Sequence, residues 1–178
     1  STKGAFIGHV FSDGPAAKGG IKPGDYVVEI DGKAVSSMDQ LVRIVGDLPV
    51  GSKSSFAVIR DGKRLQLKVT IDERKETSAA DYSKLWPGLE IAPLDEDARK
   101  ELGLGAKVDG ALVTSVIAKS PASTMGLKAG DVVTEVNGTA IGSIAEYYRA
   151  LNDPKTQKFQ FTVLREGQTL TTLALIRK

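Results

Sequence analysis

Apolar and polar positions repeat with two periods along this chain, and the two alternate. Residues 6–11 and 111–117 are apolar and partly β-branched, and a turn signal follows each, so both predict strands. Residues 26–30 and 132–136 predict two more. Met38, Leu41, Val42 and Val45 share one helical stripe, as do Ile144, Tyr147, Tyr148 and Leu151, which predicts helices over 36–45 and 143–151. Phe56 and Val58 alternate, Asp61-Gly62 turns, and Leu65, Leu67, Val69 and Ile71 alternate back. Phe159, Phe161 and Val163, then Glu166-Gly167, then Leu173 and Leu175 repeat that hairpin. Pro15 after Gly14 and Pro121 after Ser120 predict short helices with Pro at the first position, stopped at Gly20 and Gly126. Asp31-Gly32 and Asn137-Gly138 supply φ > 0 for tight turns.

These elements recur because the sequence is duplicated. Gly4 to Arg43 align without gaps on Gly110 to Arg149, and 15 of the 40 pairs are identical. After a one-residue slip, Arg60-Asp61-Gly62 matches Arg165-Glu166-Gly167. The period is too long for a solenoid and fits two copies of a small domain. The expected fold is therefore mainly β with short helices (α+β). Each copy is a small, partly open antiparallel barrel or sandwich capped by one long and one short helix. The expected boundaries are residues 1–71, a polar linker over 72–84, and 85–178. Residues 85–109 have no counterpart in the first copy, which thus lacks its opening piece.

Composition narrows the chemistry. The chain has 178 residues, and 24 Lys and Arg against 22 Asp and Glu leave a net charge of +2, too weak and mixed for a nucleic-acid binder. Without cysteine there is no disulfide framework, zinc knuckle or thiol catalysis, and one His cannot supply a His-rich metal site. His9, read as mid-strand, has no nucleophile setting around it, so the chain as given carries no catalytic residues and is not read as an enzyme. Asp95-Glu96-Asp97 complement a helix dipole rather than ligate calcium. Lys63-Arg64 and Arg177-Lys178 read as solvated charges. No metal and no cofactor is expected.

Gly14-Pro15-Ala16-Ala17, Gly20-Ile21-Lys22-Pro23-Gly24-Asp25 and Ile30-Asp31-Gly32 together resemble a PDZ domain. So do Ser120-Pro121-Ala122, Gly126-Leu127-Lys128-Ala129-Gly130-Asp131 and Val136-Asn137-Gly138. The short amphipathic helix within residues 94–104 and the run Val50-Gly51-Ser52-Lys53 resemble the PDZ domains of HtrA/Deg serine proteases. The resemblance implies a tandem PDZ module of a periplasmic or otherwise extracytoplasmic endopeptidase, with the protease domain outside this chain. It implies as partners the C-termini or extended hydrophobic segments of unfolded proteins, in envelope quality control, and the parent's own protease domain. A module of a membrane site-2-type protease and a non-proteolytic scaffold are the alternatives.

A PDZ domain adds a peptide to a sheet edge and receives its carboxylate on backbone amides. By resemblance, the peptide site of the second copy is Pro87, Gly88, Leu89, Glu90 and Ile91, facing Ile144, Tyr147, Tyr148 and Leu151, with Ile144 and Tyr148 the expected pocket. The amides of Gly88, Leu89 and Glu90 are the candidate donors, and Pro87 has none. Met38, Val42 and Val45 form the matching wall of the first copy, whose groove is incomplete. Its open edge is expected to be inert or filled by the linker or by strand exchange with a neighbouring chain.

Overall fold

The computed structural model describes residues 3–73 and 81–177, and the chain divides into two compact units, Ser1–Leu85 and Trp86–Lys178. In the first, an antiparallel sheet runs β1 (Ala5–Phe6), β3 (Tyr26–Ile30), β5 (Lys53–Arg60), β6 (Lys63–Thr70), with β4 (Lys33–Ala34) beside β3. The short helix α1 (Pro15–Lys18) follows β2 (Val10–Phe11), and the long helix α2 (Met38–Gly46) lies between β4 and β5. Val27, Ile30, Val35, Phe56, Val58 and Val69 make the core.

The second unit repeats the plan, and its main sheet has one strand more. β7 (Leu85–Trp86) lies at the division between the units, and after β8 (Leu89–Pro93) and the helix α3 (Glu96–Glu101) come β9 (Ala111–Val116), α4 (Pro121–Thr124), β10 (Val132–Val136), β11 (Thr139–Ala140), α5 (Ile144–Leu151), β12 (Lys158–Phe159), β13 (Phe161–Arg165), β14 (Gln168–Thr171) and β15 (Leu175–Ile176). The sheet order is β14-β13-β10-β9-β8, so β8 is an edge strand. Neither main sheet closes into a barrel.

Local chemistry explains the repetition. Asp31-Gly32, Asp61-Gly62, Asn137-Gly138 and Glu166-Gly167 all take consecutive positive φ angles, which turn antiparallel strands tightly. Ser37 and Ser143 cap the long helices, their hydroxyls accepting from the amides of Gln40 and Glu146. The helices accordingly begin at Met38 and Ile144, two residues and one residue later than the stripes predicted. Asp95 caps α3 through the amide of Ala98.

Several expectations need correction. Residues 6–11 are not one strand. Ile7 donates to the carbonyl of Asp25 and accepts from Gly24, and there its partner strand turns away. The chain then breaks, with His9 in the gap rather than mid-strand, before β2. The return strand of the second hairpin ends at Thr171, because the Thr172 hydroxyl takes the Phe161 amide. Leu173 is then exposed, and Leu175–Ile176 pairs instead with Lys158–Phe159. Most of the expected linker lies outside the described residues, and Asp81–Lys84 forms one turn of 3-10 helix.

Candidate functional site

The edge strand β8 and the loop that enters it carry a defined set of backbone donors. The carbonyl of Pro87 accepts from the Ala122 amide at 2.9 Å. The carbonyl of Gly88 accepts from the Ile117 amide at 2.9 Å and from the Ser120 hydroxyl at 3.1 Å. Both carbonyls are thus drawn to the turn between β9 and α4. The Pro87–Gly88 and Gly88–Leu89 peptides are trans, and a planar trans peptide points its N–H opposite its C=O. The amides of Gly88 and Leu89 are therefore aimed away from that turn, on the open side of β8. Gly88 has φ +80°, and with both flanking carbonyls drawn to one turn the two successive amides share the opposite side.

Register adds to this. Leu89 lies opposite Val116, and the Ile117 amide bonds Gly88, so Leu89 occupies a non-hydrogen-bonded pair. Its N–H and C=O both face the outer side of β8, which has no partner strand among the described residues. Glu90 lies opposite Ser115, where ladder alternation turns its amide inward. The amide of Glu90 thus points towards β9, away from the side shared by the amides of Gly88 and Leu89. The exposed Glu90 side chain accepts from the Ser115 hydroxyl. Ile91 is half-buried, after a bulge in the ladder.

Helix α5 packs against β8. Its stripe divides into two jobs. Tyr147 and Leu151 are fully buried; Tyr147 stacks on Phe161 and meets Tyr148 edge-on at 5.1 Å. They are core. Ile144 is half-buried and Tyr148 is 7% exposed, so these two present apolar surface at the margin of the core.

The base of the loop is held by aromatic packing. Trp86 is buried against Phe159, ring centroids 4.9 Å apart. The Arg177 guanidinium lies 5.8 Å from the Trp86 ring and 5.1 Å from Phe159, and donates to the carbonyls of Leu151 and Thr156. Burial holds its pKa below the ordinary arginine value, with nearby Asp153 opposing. Arg177, expected as a solvated terminal charge, instead ties the C-terminal end of α5 to the root of the loop.

In the first unit, Met38 and Val42 are 43% and 50% exposed and Val45 is half-buried. Beside α2 lies an apolar cavity of about 270 Å³ whose lining includes Ile7, Val10, Phe11, Leu41, Val45 and Phe56. The β1 edge has no partner strand on its outer side among the described residues. The β2 edge is met by the end of the same unit. The amide of Ser12 donates to the carbonyl of Lys84 at 2.8 Å, where β7 begins. The Lys84 ammonium also bonds Asp13, whose carboxyl it holds below the ordinary value.

Sequence reasoning missed Ser120 and Arg177 as supports of the loop that enters β8. Ser120 was legible only as a helix cap; its second bond, to Gly88, spans 32 residues. Among the described residues no group of three His, Asp or Glu side chains is arranged to hold a metal ion.

Comparison with known proteins follows the same division. Residues 1–71 match one family model described as a PDZ domain, and residues 112–165 match a second of that description. The chain is 35% identical over 176 residues to the probable periplasmic serine endoprotease DegP-like of Ectopseudomonas mendocina (strain ymp), covering 93% of this chain and 36% of that protein. It is 33% identical over 168 residues to the periplasmic serine endoprotease DegP of Escherichia coli (strain K12), covering 94% of this chain and 33% of that one. The chain thus spans about a third of the length of these relatives. Among solved structures, the HtrA-type protease AlgW with tripeptide aligns at TM-score 0.41 and 28% identity, over 48% of this chain and 28% of that one.

Proposed function

The chain belongs to the PDZ-domain family, of which it carries two copies, and from that premise we propose that its second copy binds the extended C-terminal end of a polypeptide. The peptide adds as a strand on the outer side of β8. Its carboxylate sits on the amides of Gly88 and Leu89, and an apolar side chain rests against Ile144 and Tyr148. One observation carries the reading: two consecutive amides aimed at the vacant end of a sheet edge, beside a helix that packs on that edge. Backbone pairing supplies affinity without sequence, and the apolar margin of α5 supplies a preference for hydrophobic termini.

The chemistry is recognition rather than catalysis. The names of the relatives support a place in an HtrA/DegP-like serine endoprotease of the periplasm, with these two domains presenting unfolded envelope proteins to a protease domain beyond this chain. The boundaries at 71 and 85 complete the proposal. A bound strand that favours one arrangement of such a protein shifts its population towards that arrangement. In the first copy, the exposed Met38 and Val42 and the half-buried Val45 of α2 offer apolar surface to extended segments.

The test is calorimetric titration of a peptide panel ending in Val, Leu, Phe or Ala, each as free acid and as C-terminal amide. Saturable binding that favours the free acid, and that Ile144→Asp removes, is the expected result. Equal binding of acid and amide would mean edge pairing without carboxylate capture. No binding by any member overturns the proposal.

A further inference from the structure

We infer that Ser120 is a positioning residue for carboxylate capture, its hydroxyl fixing the peptide plane that carries the Leu89 amide. The inference deepens the reading of the second groove and rests on it. Ser120 is fully buried and outside the proposed contact surface. Its hydroxyl donates to the Gly88 carbonyl at 3.1 Å and accepts from the Ser123 amide at 3.3 Å. A hydroxyl has one proton, and here the Ser123 amide supplies the other hydrogen bond, so the proton is directed to Gly88.

The consequence runs through the planar peptide. Gly88 is the most freely rotating residue in the loop, with φ at +80°. Two donors on its carbonyl, the Ile117 amide and the Ser120 hydroxyl, oppose rotation of the Gly88–Leu89 plane from two sides. Any such rotation would swing the Leu89 N–H away from an incoming carboxylate. Ser120 holds the donor in place before the ligand arrives, and preorganised donors bind with less ordering cost.

The duplicated chain contains its own comparison. Position 14 of the first copy aligns with position 120, and it is Gly14. Gly14 and Ser120 share one backbone geometry, φ −77° and ψ 163° against φ −75° and ψ 166°, each stands immediately before a Pro-Ala helix start, and their amides donate to Phe11 and Ile117. The helix start therefore forms without the hydroxyl. What Gly14 lacks is the proton that Ser120 gives to a loop carbonyl.

Ser120→Gly is thus a substitution that the same backbone already tolerates, and Ser120→Thr keeps the donor. Both variants of the full chain are titrated with the tightest-binding free acid of the panel and its amide, and their folding is followed by thermal melting. The expected result is a fall of about three- to tenfold in the acid-over-amide affinity ratio for Ser120→Gly, the worth of one hydrogen bond. Amide affinity stays near wild type, and Ser120→Thr restores the ratio. Looser packing alone would weaken acid and amide together and leave the ratio unmoved, which overturns the inference while the binding reading stands. A wild-type chain that binds both without preference for the acid removes the inference together with carboxylate capture, and one that binds neither removes the binding reading itself.

Discussion

Arg165 grips the buried carboxylate of Asp131 through two hydrogen bonds of 2.6 and 2.8 Å, and Arg60 does the same to Asp25 at 2.7 Å each. The repetition extends further. Each arginine also donates to a glycine carbonyl at the end of the short helix, Gly126 or Gly20, and each aspartate accepts from a lysine amide three residues earlier, Lys128 or Lys22. The far end of the hairpin is thereby locked to the turn that feeds the central strand. Bonding to Asp131 holds the Arg165 pKa above its ordinary value.

Asp131 is fully buried, so removing its partner leaves an uncompensated charge. Arg165→Ala is expected to cost the second unit about 3–5 kcal/mol, because desolvation of the carboxylate is no longer offset. The exposed pair Arg64–Glu29, at 2.8 Å, serves as control, and Arg64→Ala should cost less than about 1 kcal/mol. Urea unfolding of the two variants makes the comparison. Equal costs would refute the burial argument.

Sequence reading reached these elements unevenly, for physical reasons. The turns at Asp31-Gly32 and Asn137-Gly138, and the stops at Gly20 and Gly126, depend on local backbone preference, and their residues announce it. The caps at Ser37 and Ser143 are equally local, although the helical stripes alone started the helices too early. The clamp of Arg177 and the bond from Ser120 to Gly88 depend on positions brought together by folding, and no local pattern marks them. The division of the α5 stripe was partly legible. Tyr147 and Leu151 fell to the core because the stripe is wider than the groove.

That division predicts different outcomes for neighbouring tyrosines. Tyr148→Ala should weaken peptide binding with a modest stability loss. Tyr147→Ala should cost about 3–5 kcal/mol by emptying the core. Tyr147→Phe is the sharper test. The Tyr147 hydroxyl is buried with no hydrogen-bond partner among the described residues, and burial pushes its pKa well above the usual value. Its removal is expected to be neutral or to stabilise by about 1–3 kcal/mol, read from the shift in melting temperature. A clear loss would mean that the hydroxyl has a partner in solution.

Gly110 allows two backbones to approach. A Cβ there would stand 2.5 Å from the Val133 carbonyl oxygen, and the matching Cβ at Gly4 would stand 2.8 Å from that of Val27. Gly110→Ala must therefore separate β9 from β10, at a cost of about 1–3 kcal/mol. Gly126→Ala meets no atom within 4 Å among the described residues beyond its chain neighbours and suffers only the strain of φ +87°, about 1–2 kcal/mol. Hydrogen exchange separates the mechanisms. Gly110→Ala should speed exchange of the Val113 amide, which bonds the Asp131 carbonyl, and Gly126→Ala should leave it protected.

The Asp31 carboxyl accepts from the Ser55 amide at 2.7 Å, and that bond, with a further one from Ser54, holds its pKa below the ordinary 3.8. A depressed carboxylate contributes stability that is present above the unfolded value and is lost as pH falls through the folded one. The Asp31 contribution is therefore complete at neutral pH and disappears below 3.8. The second copy carries the uncharged equivalent, since Asn137 accepts from the Gln160 amide at 2.8 Å in the same kind of turn, at φ 50° against 47°. Asp31→Asn should keep the turn and the bond and abolish this part of the acid dependence. Urea midpoints measured for the two chains from neutral pH down to about pH 3 should converge as the carboxyl protonates. Parallel curves would mean that the Asp31–Ser55 bond contributes nothing that depends on charge.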